Sequence, residues 1–160
     1  MLSLRMTAAV CCAAAAATAQ DLPMIARVDV ETTFTGADAN ALDFWPEIDR
    51  HLTDAILAAA DPMLSESGYV VDVEIAEISM DGLATLPDSG AFNHLEGWVH
   101  VRDVEDAAPI ESARIVLDAQ SSVIAETPRF YIIPGRPDFY IVLVNAFAAR
   151  VVEEVVELGA

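Results

Sequence analysis

The chain has 160 residues, with 8 Lys+Arg against 26 Asp+Glu, a formal net charge of −18 and a hydrophobic fraction of 54%. That excess of acid counts against nucleic acid and anionic membrane surfaces as partners, because both are held by a basic footprint. Lysine is absent, so every basic side chain is an arginine; acidity of this kind fits salt tolerance or genome composition and says nothing of activity.

The first twenty residues, MLSLRMTAAVCCAAAAATAQ, place Arg5 ahead of an apolar, alanine-rich run and then Ala17-Thr18-Ala19 before Gln20. This is the order of a secretory signal peptide, with cleavage expected after Ala19. The run falls short of the ~20 apolar residues that span a bilayer, and no stop-transfer segment follows it. Cys11 follows Val10 and Cys12 follows Cys11, so neither stands in a lipidation context. Residues 1–19 are therefore expected to be removed, and residues 20–160 to form a single α+β domain long enough to bury a core. Both cysteines leave with the leader, and with them any disulfide, thiolate nucleophile or cysteine metal ligand. The remainder carries seven bases against 26 acids, a net charge of −19.

From Met24 to Phe34 the chain alternates. Ala26, Val28, Val30 and Phe34 share one phase and Arg27, Asp29 and Glu31 the other, which is a half-buried strand. TGADAN reads as a turn. Pro46 suits a first helical position, and Ile48, Leu52, Ala55, Ile56 and Ala59 then recur at helical spacing. Asp61-Pro62 should end or kink this helix, with Gly68 as its terminator. YVVDVEIAEIS, from Tyr69 to Ser79, is a second strand whose phase blurs after Ala76, as a bulge would make it. Asp81-Gly82 and Pro87-Asp88-Ser89-Gly90 are turns, with Leu83–Leu86 between them as a hairpin return or a loop that packs down. A third strand runs from His94 to about Val104 and a fourth from Glu111 to Ala119, with Ala113, Ile115 and Leu117 on one face. Phe130–Ile133 reads as a short edge strand before Pro134-Gly135. Pro137 opens the last helix, whose stripe is Val144, Phe147, Ala148, Val151, Val152 and Val155, with Gly159 ending it. Phe139 and Tyr140 at its start, and Trp45 beside Pro46, read as core or core-edge aromatics.

The fold expected from this order is α+β: an antiparallel sheet of about four strands, two helices packed on one face, and the other face exposed to solvent.

Chemistry concentrates in NHLEGWVHVRD. On a strand, His94, Glu96, Trp98, His100 and Arg102 share one face, and the smaller apolar set Leu95, Gly97, Val99 and Val101 shares the other. The first set is the candidate binding surface, because an aromatic beside arginine and histidine on an open sheet can anchor a partner. His94 and His100 cannot share an ion: at ~3.3 Å per residue their Cα atoms stand ~20 Å apart on a strand. His94 with Glu96 would need ligands from elsewhere, so no metal site and no cofactor is expected. Arg102 and Arg114 are expected to pair across strands with Asp72 and Glu74. His51, with Glu47 and Asp54, reads as a solvated helix face with local pairing. No stretch satisfies the ligand positions of an EF-hand loop, and G-x-S-x-G, H-E-x-x-H and phosphate-cradling glycine loops are absent, so no catalytic residues are assigned.

The element order resembles that of small envelope-assembly domains of Gram-negative bacteria, among them lipopolysaccharide-assembly and transport-auxiliary lipoproteins. The resemblance is one of element order alone, the lipidation motif being absent, and it carries over no functional residue. The expectation is an exported, periplasmic accessory or interaction protein with an envelope protein as partner and no stable membrane insertion. Two alternatives accompany it. One is a hydrolase built on His94 or His100 with acids brought together by the fold. The other is a binder of small apolar ligands, with a pocket between helices and sheet near Phe44 and Phe147.

Overall fold

In the computed structural model, residues 22–34, 36, 39–106, 108–119 and 136–158 are described. The expected leader at 1–19, the edge strand at Phe130–Ile133, Gly159 and the side chain of Phe139 lie outside them.

Four strands form one sheet in the order β1-β2-β3-β4: β1 Ile25–Thr32, β2 Tyr69–Ser79, β3 His94–Asp103 and β4 Glu111–Asp118. Strand β3 shows why the sequence alternates. Leu95, Gly97, Val99 and Val101 are buried, while His94, Glu96, His100 and Arg102 are half-buried and Trp98 is exposed. Its partner β2 matches it, with Val71, Val73 and Ile75 buried opposite Val101, Val99 and Gly97. At Ala76 the register slips: Ile75 opposes Gly97, but Glu77 opposes Glu96. The extra residue is the bulge that the blurred phase of YVVDVEIAEIS indicated. Beyond it the alternation restarts one residue later, so Ile78 is buried opposite Leu95 and Ser79 opposes His94.

The sheet is not antiparallel throughout. β2–β3 and β3–β4 are antiparallel, but β1 and β2 run parallel. The helical connection over residues 40–63 lies between β1 and β2, and a helical crossover returns the chain to begin the next strand in the same direction. A second irregularity lies between Ile25 and Arg27, so Ile25 rather than Ala26 joins Val28 in the core.

That crossover contains α1, Ala41–Phe44, and α2, Ile48–Ala59. α1 has no counterpart in the sequence expectation. Pro46 stands in a turn just before α2 rather than inside it, within the usual variation of helix ends. Ile48, Leu52 and Ile56 form the buried stripe of α2, which ends before a 3-10 turn at Asp61–Met63 carrying Pro62. Gly68 is not the helix terminator. It precedes β2, where a Cβ would stand 2.3 Å from the carbonyl oxygen of Met24, so only glycine lets β1 and β2 begin side by side.

The last helix, α3 (Arg136–Leu158), buries Leu143, Val144, Phe147, Ala148, Val151 and Val155. These join the α2 stripe and the buried residues of all four strands in one core cluster. Phe147 is fully buried, and its ring lies 3.0 Å from where a Cβ on Gly97 would stand, so α3 sits directly on β3. At the edge of the core Trp45 stacks on Tyr140 with ring centroids 4.1 Å apart, and Trp45 Nε1 donates to the carbonyl of Gly90 at 2.9 Å.

Candidate functional site

The five residues singled out on β3 project from the side of the sheet opposite Leu95, Val99 and Val101, and cross-strand register supplies their neighbours. Trp98 lies between Glu74 on β2 and Arg114 on β4, His100 between Asp72 and Ser112, Glu96 between Glu77 and Val116, and His94 between Ser79 and Asp118. The five do not converge on one point. They divide into two polar groups with Trp98 between them.

At one end, Arg102 Nε donates to Asp72 Oδ2 at 2.5 Å, and His100 Nδ1 lies 2.7 Å from Ser112 Oγ. The Arg102–Asp72 pair is the one expected from sequence. The other expected pair does not form: Arg114 grips Glu96, and Glu74 instead accepts a hydrogen bond from the hydroxyl of Thr33. Glu96 stands directly beside Arg114 on the diagonal, and the guanidinium fork fits both of its oxygens, with Nε to Oε1 at 2.8 Å and the terminal nitrogen to Oε2 at 2.6 Å. That bidentate bond from Arg114 holds the Glu96 carboxyl below its ordinary pKa against the opposing effect of burial.

At the other end, His94 Nδ1 lies 2.7 Å from Asp118 Oδ1. A carboxylate only accepts, so Nδ1 carries the proton toward Asp118, and Nε2 faces Glu96 Oε2, 3.7 Å away. Glu77 completes the group: ligand atoms of Glu77, His94 and Glu96 all lie within 4.8 Å of one another. These side chains, with Ser79, Asn93, Asp118 and the Asp81-Gly82 turn, line an open cleft of ≈ 460 Å³. The turn is tight because Asp81 and Gly82 both have positive φ, and Met80 and Leu83 exchange two backbone hydrogen bonds of 3.0 Å across it.

Ser79, His94 and Asp118 occupy one cross-strand row, a serine, an imidazole and a carboxylate in sequence. They do not make a nucleophile and base. Ser79 is 0% exposed and its Oγ makes no hydrogen bond, while Nε2 of His94 faces Glu96. A working pair needs an accessible hydroxyl within reach of the base.

Trp98 is 39% exposed, and Val116, diagonal to it on the same face, is 41% exposed. Together they form an apolar spot framed by the Arg114–Glu96 pair. The third histidine stands apart on α2: His51 Nδ1 lies 2.8 Å from the Tyr140 hydroxyl, and Arg50 donates to its Nε2 at 3.0 Å. Burial pushes the Tyr140 phenol up to about 12. Glu47, Arg50 and Asp54 pair along the same helix surface, the local pairing expected of it. Beside Gly97 the ring of Phe147 and the side chain of Ile75 stand 3.0 and 3.2 Å from where a Cβ would be, so helix and sheet are in close contact at that point.

Glu77 is the residue that sequence reasoning passed over. On an unbroken strand it would share the core phase of Val73 and Ile75; the bulge at Ala76 turns it to the polar side. The blurred phase was the signal, and carrying it forward one residue would have found Glu77.

No family model matches the chain, and no curated protein matches it. Among solved structures, a point-variant PelC dodecamer from Paraburkholderia phytofirmans is 12% identical, with 84% of this chain and 86% of that chain covered and a TM-score of 0.47. A second PelC dodecamer from the same organism is 14% identical, with coverages of 82% and 92% and a TM-score of 0.45. A chain from Caulobacter crescentus CB15 is 14% identical, with coverages of 80% and 88% and a TM-score of 0.38.

Proposed function

We propose that the chain is an exported accessory protein of a bacterial envelope, acting by non-covalent binding through the polar face of its sheet. On this reading α2 and α3 cover one sheet face and leave the other to a protein partner. The observation that carries it is Trp98, 39% exposed at the centre of a strand whose flanking charges are already paired with one another. Fixed ion pairs around an exposed aromatic lower the cost of ordering side chains on binding, which is how a few anchors dominate an interface. Export rests on the order of residues in the first twenty positions. No helix among the described residues is long and apolar enough to cross a membrane.

The test is a cross-linked pull-down from an envelope extract with the wild-type chain and with Trp98→Ala and Arg102→Ala variants, each checked for folding by circular dichroism. One recurrent partner, retained by the wild type and lost with Trp98→Ala, supports the reading. Equal capture by folded variants and wild type removes this face from it.

One observation favours a second reading, a hydrolase. His94 and Asp118 are hydrogen-bonded at the cleft, a base with its orienting acid. Ser79, the serine lining the cleft among the described residues, is fully buried, so on this reading the nucleophile would be water. Loss of a measured hydrolytic activity on His94→Ala would favour it.

A further inference from the structure

We propose that Glu77, His94 and Glu96 form a binding site for a divalent first-row transition cation at the bulged end of the sheet. The inference goes beyond the binding role above and does not depend on it.

The ligand geometry is near what such an ion needs. In a tetrahedral site with bonds of ~2.0–2.1 Å, neighbouring ligand atoms stand about 3.4 Å apart. His94 Nε2 and Glu96 Oε2 are 3.7 Å apart, and the Glu77 carboxylate falls within the same 4.8 Å group. Small rotamer adjustments close the remainder, since all three side chains are only half-buried. The two carboxylates neutralise the ion's charge.

The second shell has the form that metal-binding histidines use. A ligating imidazole gives its other N–H to a carboxylate, which fixes the tautomer and aims the free nitrogen. Asp118 does this to Nδ1 of His94, leaving Nε2 for the cation. Glu96 is held in the same way. Its two oxygens offer about four lone-pair positions, and the Arg114 fork takes one on each, leaving Oε2 able to ligate on its free side.

An independent observation points into the same cleft. The Ser79 hydroxyl is fully buried and makes no hydrogen bond. Register places it beside His94 on the polar side, and it lines the cleft with the three ligands. A buried hydroxyl left without a partner asks for an unseen water or ion. A water completing the coordination of the cation would satisfy it.

The donor set selects the ion. One imidazole and two carboxylates, with no thiolate, suit Zn²⁺, Mn²⁺ or Co²⁺. Ca²⁺ and Mg²⁺ prefer oxygen-only sites.

The test uses the full chain with Cys11→Ser and Cys12→Ser, so that thiols contribute nothing. After treatment with a chelator, it is titrated with Zn²⁺ by calorimetry and with Co²⁺ by visible absorption. The expected result is one saturable site per chain and a Co²⁺ ligand-field spectrum. His94→Ala and Glu77→Gln each weaken binding tenfold or more, and Asp118→Asn weakens it by about tenfold, the usual effect of losing a second-shell partner. Glu77→Gln preserves shape, and circular dichroism confirms that each variant is folded. Absence of a saturable site, equal affinity in the folded variants, or equally tight Ca²⁺ binding would each overturn the assignment.

Discussion

Gly97→Ala tests the packing that gives the sheet its polar face. Gly97 lies on the core side of β3 opposite Ile75, the last paired residue before the bulge. An alanine Cβ there would stand 2.7 Å from the carbonyl oxygen of Glu74, 3.0 Å from Cζ of Phe147 and 3.2 Å from Cδ1 of Ile75, where ordinary contact begins near 3.4 Å. The oxygen belongs to mid-sheet backbone and cannot withdraw without disturbing the β2–β3 ladder, and Phe147 is fully buried and has nowhere to go. Overpacking of this kind costs about 1–3 kcal/mol. A stiffer unfolded chain returns about 0.4–1 kcal/mol of it. The net is a loss of about 1–2 kcal/mol, or on the order of 2–8 °C in Tm for a chain of this length. Urea denaturation should show a lowered midpoint with an unchanged slope. A midpoint equal to or above that of the wild type would refute the close approach of α3 and β2 to Gly97.

Two titrations follow from the charges and burial on the page. Glu96 has its pKa lowered chiefly by the Arg114 hydrogen bond, so its contribution to stability is present above the unfolded value, ~4.3, and is lost as pH falls through the lowered folded value. Carboxyl titration followed by NMR should place its midpoint below the ordinary range, and Arg114→Ala should move it upward; no movement would remove Arg114 as the cause. Tyr140 runs the other way. Its folded pKa is raised to about 12 by burial, so the stability it supports is intact below ~10 and declines as pH rises from there through about 12. Ultraviolet titration should show one phenol ionising in that upper range and absent from Tyr140→Phe, and that variant should lose about 1 kcal/mol with its hydrogen bond to His51.

The alternation of β2 and β3 and the stripes of α2 and α3 were legible in the sequence because each element meets the core with one side. Leu95, Val99, Leu52 and Phe147 are buried where period 2 or period 3.6 puts them. Strand direction was less legible, since the side-chain pattern of β1 is the same whether its neighbour runs parallel or antiparallel. The helical crossover was the available sign, and α1 within it is too short to show a period. Which residues share the polar side of β3 was legible from period 2, but their cross-strand neighbours were not. Cross-strand neighbours depend on register, and the bulge at Ala76 moved Glu77 to Glu96 while the diagonal gave Arg114 to Glu96 instead of Glu74. Such pairings arise from one inserted residue or one step of offset, which composition does not record.

Photo-cross-linking tests the binding role of this face most directly. A photoreactive residue replaces Trp98 in one variant and Glu153, exposed on α3, in another, and both are expressed in an envelope-bearing host. The account predicts a discrete adduct of one partner from position 98 and none from position 153. Adducts of equal yield from both, or an adduct from 153 alone, would contradict the assignment of recognition to the polar face of the sheet.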